Sequence, residues 1–139
     1  MKIAVVYWSS TGNTEAMAQA VVEGAKHAGA EAELFTAAEF DGGKMDEFDA
    51  VAFGCPAMGA EELEDGEFAP MFETCESKLS GKNIALVGSY GWGDGEWMRT
   101  WEENCRDKGA NLVCDSVICQ ETPDDEALSA CRSLGEALA

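Results

Sequence analysis

Residues 3–17 read IAVVYWSSTGNTEAM, and this stretch decides the fold. Its first part, residues 3–8, is apolar and rich in β-branched side chains, as expected of a short strand buried on both faces of a sheet. Six uncharged residues follow, four of them with hydroxyl groups, before apolar residues return at helical spacing. The stretch therefore predicts a buried strand, a polar corner and a helix.

The same alternation of strands and helices continues to the end of the chain. Further strand candidates are residues 31–36, 48–55, 83–89 and 111–119, the last of which allows an interruption near Asp115. Helix candidates are residues 13–28, 67–79, 97–105 and 122–138. The order βαββαβαβα, with apolar strands, predicts an α/β fold in which helices cover both faces of a parallel sheet.

The sequence TPDD at residues 122–125 predicts how the last helix begins. Thr122 provides a hydroxyl N-cap, and Pro123 suits the first helical position. Asp124 and Asp125 place acidic side chains in the first turn. We therefore expect the helix to start at Pro123.

Length and composition limit the class of protein. The chain has 139 residues, of which 46% are apolar, and this favours one folded domain over residues 1–139. Met1-Lys2 leads directly into the apolar strand, and no apolar run approaches the length of a membrane span. We expect a cytoplasmic, monomeric protein with no membrane partner.

The net charge is strongly negative. Nine Lys and Arg residues stand against 27 Asp and Glu residues, which gives −18. Such a chain repels phosphate, so a nucleic-acid partner is excluded. The acidity favours a basic protein surface or a cation as partner, and the alternative is that it serves only solubility.

Six cysteines show no metal-binding pattern. They are residues 55, 75, 105, 114, 119 and 131, no CxxC motif occurs, and the one histidine is His27. Zinc and iron–sulfur sites are therefore not expected. Several of these cysteines occupy apolar positions, which favours reduced thiols in the core.

Three loops would lie together, because parallel strands end at one edge of a sheet and ligands bind beyond their carboxyl ends. The first, residues 9–14, offers neutral hydroxyl donors and a helix N-terminus, which favours an anion. It lacks the cation of a phosphoryl-transfer site, so it is suited to holding a phosphate and not to transferring it. The alternative is a Ser/Thr-rich helix cap without a ligand.

The loops after residues 55 and 89 also have unusual compositions. The third loop has four glycines within residues 88–95, around Trp92. Glycines there would let backbone amides approach a flat ligand, and the indole would offer it a ring face. The alternative for Trp92 alone is ordinary packing.

The chain resembles the short-chain flavodoxins, small proteins that carry electrons on non-covalently bound FMN. SSTGNT at residues 9–14 resembles the family's phosphate loop. GCPAMGAEELE at 54–64 and GSYGWGDGEWMR at 88–99 resemble the loops on the two sides of the flavin ring. The resemblance covers nearly the whole chain, and it implies a flavodoxin-like three-layer fold with a five-stranded parallel sheet in the order 2-1-3-4-5.

The resemblance also implies which residues contact FMN. They are Ser9, Ser10, Thr11, Gly12, Asn13, Thr14, Pro56, Ala57, Met58, Gly59, Ala60, Glu61, Ser89, Tyr90, Gly91, Trp92, Gly93 and Gly95. The first loop would hold the phosphate. Met58 would cover the inner face of the ring and Trp92 its outer face. The backbone around Gly59 would meet N5, Glu61 would accept a hydrogen bond from N3–H, and the backbone of residues 89–91 would line the pyrimidine edge.

In flavodoxins the peptide at the position of Gly59 turns over on one-electron reduction. The resemblance therefore implies a carrier that cycles between semiquinone and hydroquinone and links redox enzymes in place of a ferredoxin. Ala60 stands where turn formers such as Asp or Asn are common, and alanine disfavours the positive φ of a type II turn. This departure bears on the size of the semiquinone stabilisation, not on its occurrence.

Acidic residues crowd the second loop. Five acids within seven positions are Glu61, Glu62, Glu64, Asp65 and Glu67. Reduction adds negative charge beside them, and each carboxylate within a few ångströms opposes it by about 1 kcal/mol in water-like surroundings. We therefore expect the second electron to enter at low potential. The same acids would attract redox partner proteins with basic docking surfaces, an attraction that salt weakens.

Three other classes of protein fit less well. A quinone reductase on FMN needs room above the ring, and NAD(P)H oxidation would distinguish it from a carrier. A response-regulator receiver needs acids after its first strand, where this chain has Trp8-Ser9, and an aspartate ending its third, where it has Gly54-Cys55. A phosphatase with a C-x₅-R motif needs arginine where Glu61 stands. The loops show no acid/base pair, nucleophile or metal site, so we expect no catalytic residues.

Overall fold

The computed structural model describes residues 1–59 and 62–139 and contains a parallel sheet with helices on both faces. The strands are β1 (Lys2–Tyr7), β2 (Glu31–Thr36), β3 (Ala50–Gly54), β4 (Asn83–Tyr90), β5 (Asn111–Leu112) and β6 (Val117–Gln120). The α-helices are α1 (Asn13–His27), α2 (Gly42–Met45), α3 (Phe68–Glu76), α4 (Glu96–Asp107) and α5 (Asp125–Leu138), and a 3₁₀ helix spans Ala37–Glu39.

The strand order is β2-β1-β3-β4-β5, and every pair is parallel. This confirms the predicted α/β fold and the order 2-1-3-4-5. The fifth strand is interrupted between β5 and β6, which both pair with β4. In the interruption Val113 N–H still donates to Ile84 O of β4 at 3.1 Å, whereas the Ser116 hydroxyl donates to Glu102 Oε2 on α4 at 2.7 Å.

The core has two layers. On one face of the sheet, aromatic side chains of β3, α3 and α4 pack edge to face, with ring centroids 5.0 Å apart for Phe53 and Phe72 and 5.5 Å apart for Phe68 and Trp101. The other face is covered by α1 and α5, whose buried residues include Met17, Val21, Cys131 and Leu134. Four of the six cysteines are fully buried, as expected of core thiols.

Helices α1 and α5 touch through their backbones at two glycines. A Cβ added at Gly24 would lie 1.9 Å from Arg132 O, and one at Gly135 would lie 2.1 Å from Val21 O. Neither position accepts a side chain without separating the helices.

The predicted start of the last helix is wrong. Helix α5 begins at Asp125, and Asp124 is its N-cap, with a carboxylate that accepts from Ala127 N–H at 2.8 Å. Thr122 and Pro123 precede the helix. A carboxylate is favoured here over a hydroxyl because it also meets the positive end of the helix dipole.

The parallel register brings the carboxyl ends of the strands to one edge. Tyr7 of β1 pairs with Gly54 of β3, and Tyr90 of β4 pairs with Gln120 of β6. The loops that follow these residues form the site described next. None of the helices in the described residues is long and apolar enough to span a bilayer.

Candidate functional site

Three loops meet at this edge: the first loop (residues 8–14), the second loop (residues 55–67) and the third loop (residues 89–95). Hydrogen bonds join them to one another and to the strand ends. Trp8 N–H donates to Gly54 O at 3.0 Å, and Ala57 N–H donates to Ser89 O at 3.0 Å. The Trp8 indole N–H donates to Glu67 Oε1 at 3.4 Å, which ties the first loop to the second.

The first loop ends at the N-terminus of α1. Gly12 is the N-cap residue, with φ 91°, and no side chain of the described residues caps the helix. A helix leaves its first N–H groups without carbonyl partners, and its dipole places positive potential there. Ser10, Thr11 and Gly12 are exposed, so this end of α1 is open to an anion. The Ser9 hydroxyl accepts from Gly12 N–H at 3.1 Å and holds the loop in shape.

Thr14 is turned inward. It is 1% exposed, and its hydroxyl lies 2.9 Å from the hydroxyl of Ser89, which is 5% exposed. Either oxygen can be the donor. The pair uses one of its two protons internally, so the other hydroxyl keeps a proton for a further acceptor. Thr14 thus joins the first loop to the end of β4. Asn13, the first residue of α1, is half-buried.

The second loop folds back on itself at Met58. Met58 and Glu62 form an antiparallel bridge, with N–H donors 2.8 and 2.9 Å from the facing carbonyls. Gly59 begins the turn with φ 48°. Pro56, Ala57 and Met58 are half-buried. Ala60 and Glu61, both predicted site residues, lie outside the described residues.

Glu64 anchors the second loop from inside. Its carboxylate accepts from the N–H groups of Gly66, Glu67 and Phe68 at 2.7, 2.8 and 2.8 Å, and so caps the start of α3. Burial alone would raise the pKa of the Glu64 carboxyl, but these backbone N–H groups outweigh it and hold the pKa below its ordinary value. Only 9% of Glu64 is exposed, so it does not belong to the acidic rim that the sequence analysis expected.

Cys55 closes the other end of the second loop. Its sulfur accepts from Glu64 N–H at 3.4 Å. Its carbonyl accepts from the Trp97 indole N–H at 3.3 Å and lies against Gly88, where an added Cβ would be 2.3 Å from the oxygen. Burial raises the pKa of the Cys55 thiol to about 12. The thiol therefore stays protonated near neutral pH and serves as packing, not as a nucleophile.

The third loop exposes an aromatic ring. Trp92 is 64% exposed, which makes it the most exposed large apolar side chain among the described residues. Gly93 and Gly95 have φ angles of 87° and 90°. Tyr90 is half-buried against Trp97, with ring centroids 5.5 Å apart.

Arg99 is a neighbour of this loop that sequence reasoning missed. Its guanidinium donates to the backbone and the carboxylate of Asp94 at 3.1 and 3.0 Å. The cation nearest to Trp92 along the chain is therefore paired with an acid of the same loop. The sequence feature that could have predicted this pair is the spacing of five residues between Asp94 and Arg99, on either side of the start of α4.

The last residue of β6, Gln120, and the residue after it, Glu121, complete the edge. Gln120 Nε2 donates to Gly91 O at 3.4 Å, and Glu121 N–H donates to Tyr90 O at 2.7 Å. The sequence analysis did not assign these residues to the site. Their position after the last strand, at the same edge as the other loops, was the only signal.

The residues present fit FMN. Glycines of all three loops, Gly12, Gly59 and Gly91, face open space, since an added Cβ would meet no described atom within 4 Å. The open N-terminus of α1 suits a phosphate, and the exposed Trp92 indole suits a planar ring. Neither the first nor the third loop contains Lys or Arg.

Comparison with known proteins gives a consistent result. The family model described as flavodoxin matches residues 5–135. A flavodoxin of Megasphaera elsdenii is 44% identical over 99% of this chain and 98% of its own length, and one of Clostridium beijerinckii is 42% identical over 97% of each. The solution structure of two-electron reduced Megasphaera elsdenii flavodoxin has a TM-score of 0.89 at 43% identity and covers 98% of this chain and 97% of that one. An archaeal flavodoxin structure has a TM-score of 0.87 at 29% identity and covers 100% of this chain and 96% of that one.

Proposed function

The chain belongs to the flavodoxin family, and we propose that its three loops hold FMN and present it to basic partner proteins. As a flavodoxin it is a low-potential, FMN-binding electron carrier and an electron-transfer protein, not an enzyme. FMN supplies the one-electron chemistry, and the residues of the three loops bind it, orient it and set its surroundings. The convergence of an open helix N-terminus and an exposed indole at one sheet edge supports this assignment most directly.

The first loop holds the phosphate. Ser10, Thr11 and Gly12 are exposed at the N-terminus of α1. Backbone N–H groups and hydroxyls bind the phosphate there without a cationic side chain. Neutral donors suit this site because a phosphate that is only held needs no cation to stabilise transferred charge.

The ring lies between Met58 and Trp92. Met58 belongs to the second loop and Trp92 to the third. The hydrogen bond from Ala57 N–H to Ser89 O joins these two loops at the same edge of the sheet. A thioether and an indole offer polarizable faces to a flat ring. By family resemblance, Glu61 would accept from N3–H and the peptide between Gly59 and Ala60 would face N5.

The low potential follows from the acidic rim. We define the rim as the acids of the second and third loops that are exposed among residues 1–59 and 62–139: Glu62, Asp65, Glu67 and Asp94. An electron added beside these carboxylates raises the electrostatic energy by about 1 kcal/mol for each one within a few ångströms in water-like surroundings. Each of these repulsions makes reduction of the bound FMN harder and so lowers its midpoint potential.

The same rim docks the partner. The rim carboxylates lie on the same two loops as Met58 and the exposed Trp92, so they would attract a surface rich in Lys and Arg towards the edge of the proposed ring. The net charge of −18 extends this attraction over the whole surface. Nucleic acids and anionic membranes are repelled by the same field.

We also propose that residues 1–139 act as one monomeric domain in a reducing cytoplasm. The four buried thiols support this location, because they pack as small apolar side chains within a single sheet-and-helix core.

One experiment tests the function directly. FMN is added to the purified apoprotein, and the complex is titrated with dithionite under anaerobic conditions while its visible spectrum is recorded. We expect stoichiometric binding of one FMN and two separated one-electron steps. A protein that retains no FMN after the excess is removed by gel filtration, or a complex that rapidly oxidises NAD(P)H with a quinone and no reductase, would contradict the proposal.

A further inference from the structure

The segment Ile118–Glu121, at the carboxyl end of β6, holds the third loop along its length. At the start of the loop, Glu121 N–H donates to Tyr90 O at 2.7 Å. In the middle, Gln120 Nε2 donates to Gly91 O at 3.4 Å. At the end, Ile118 Cδ1 lies 2.9 Å from where a Cβ on Gly95 would be, so this side chain packs directly on the N-cap glycine of α4.

The backbone of this segment adopts a rare conformation. Glu121 has φ 58° and is the one non-glycine residue with positive φ in residues 1–59 and 62–139. The left-handed region costs an L-residue a free energy equivalent to about fivefold to thirtyfold in the folding equilibrium. Such strain persists only where surrounding structure enforces it, and it clusters at functional sites. Here it turns the chain away from the sheet immediately after the last hydrogen bond to Tyr90.

The third loop needs an external support. Three glycines among residues 91–95 give its backbone unusual freedom, which binding of a ligand would have to remove. Gly91 faces open space, and Trp92 is 64% exposed, so packing does little to fix either residue. The hydrogen bond from Gln120 to Gly91 O therefore restrains the residue that directly precedes Trp92 in the chain.

We propose that Gln120 and Glu121 are positioning residues of the FMN site. Gln120 fixes the Gly91 carbonyl next to Trp92, and the left-handed turn at Glu121 keeps the corner in the shape that allows this bond. This role rests on the proposed placement of FMN between the loops. Loss of either restraint leaves the fold intact, but the third loop then becomes ordered only when FMN binds. That ordering costs free energy, so the affinity for FMN falls and the midpoint potentials of the bound FMN shift.

The test of Gln120 uses Gln120→Met, which keeps the length of the side chain and removes the donor. The matched control is Gln19→Met, on the exposed face of α1. We expect Gln120→Met to weaken FMN binding by about twofold to tenfold, the equivalent of one net hydrogen bond. Both midpoint potentials should also shift, while the denaturation midpoint of the apoprotein matches that of the control.

A second pair of variants tests Glu121. Glu121→Gly relieves the strain and frees the corner, so the apoprotein should become more stable while FMN affinity falls. Glu121→Asn removes the charge but tolerates the left-handed conformation, and it should keep the affinity within about twofold of wild type. Stability and affinity that move in opposite directions are not expected of a residue with a purely structural role.

The outcomes separate the two proposals. If wild-type protein binds no FMN, the proposed site fails and this inference fails with it. If wild-type protein binds FMN and Gln120→Met equals Gln19→Met in affinity and in both potentials, only the positioning role is overturned. The same holds if Glu121→Gly binds FMN as tightly as Glu121→Asn does.

Discussion

Replacement of Glu64 by glutamine should destabilise the protein far more than replacement of a neighbouring acid. The Glu64 carboxylate accepts from three backbone N–H groups, two on Oε1 and one, from Gly66, on Oε2. A glutamine amide keeps one acceptor oxygen for Glu67 and Phe68. Its NH₂ group would then face Gly66 N–H, donor against donor, and the negative charge at the N-terminus of α3 would be lost.

The magnitude follows from these two losses. A hydrogen bond to a charged group contributes about 1.5–3 kcal/mol. The interaction of a carboxylate with a helix N-terminus adds about 0.3–1 kcal/mol. The two together predict a loss of about 2–4 kcal/mol in the free energy of unfolding. Because Glu64 and Cys55 close the second loop, FMN affinity should fall as well.

Urea unfolding of the apoprotein measures this loss, with Asp65→Asn as the matched control. Asp65 carries the same charge on the same loop but is exposed, so its replacement should change the free energy of unfolding by less than about 0.5 kcal/mol. With an m-value of about 1–3 kcal/mol per molar urea, Glu64→Gln should lower the midpoint by about 1 M or more. Equal midpoints for the two variants would refute the capping role.

The dependence of stability on pH gives an independent check. Backbone N–H groups hold the folded-state pKa of the Glu64 carboxyl below its ordinary value of 4.5. A group with a lowered folded pKa contributes stability that is fully present above the unfolded value and is lost as the pH falls through the folded value. The difference in stability between wild type and Glu64→Gln should therefore be constant above about pH 5.5 and shrink below pH 4.5. A difference that grows on acidification would contradict this assignment.

Three further perturbations have defined outcomes. Trp92→Ala should weaken FMN binding about tenfold or more. It should also raise the second midpoint potential, because an electron-rich ring face is removed from beside the added negative charge. Trp92→Phe is the control, and an unchanged potential in Trp92→Ala would show that the indole does not set the potential. Electron transfer to cytochrome c, a basic acceptor, should slow as salt is raised from 0.01 to 0.5 M, and a variant with the rim acids converted to amides should lose most of this dependence when assayed by stopped flow. Gly24→Ala should lower the free energy of unfolding, measured in urea, by more than about 3 kcal/mol, since its Cβ would lie 1.9 Å from Arg132 O. The control, Ala28→Gly at the end of the same helix, should lower it by about 1 kcal/mol or less.

The sheet was predictable because a parallel strand buried on both faces is a nearly continuous run of apolar residues in the sequence. The strands β1, β3 and β4 are continuous apolar runs, and the structure contains each of them within two residues of its predicted bounds. The corner at residues 9–14 was predictable for a similar reason, since a cluster of small polar residues between a strand and a helix has few structural uses. The interruption that the sequence allowed near Asp115 is also present, between β5 and β6, and aspartate is depleted in strands generally.

The direction of side chains in irregular segments was not predictable in the same way. Glu62, Glu64 and Asp65 have similar neighbours in the sequence. A loop has no helical or strand periodicity, so the sequence does not indicate which of these acids points inward. The place of Glu64 four residues before the first apolar residue of α3, Phe68, was a weak sign of a cap. At the start of the last helix the sequence predicted the Thr122 hydroxyl as the N-cap, whereas the Asp124 carboxylate, two residues further on, takes that position.

The site combines a negative rim with an interior whose polar groups are paired, and with the basic partner proposed above this arrangement would couple reduction to docking. Inside, Thr14 and Ser89 bond to each other, and the buried Glu64 carboxylate is compensated by N–H groups. At the rim, Arg99 is paired with Asp94, so it offers little positive charge to a reduced cofactor. A basic partner that docks on the rim supplies that charge and so makes reduction easier. By thermodynamic reciprocity, the reduced protein must bind the same partner more tightly than the oxidised protein does. The carrier would therefore bind its basic electron acceptor most tightly before transfer and release it more readily after the electron has left.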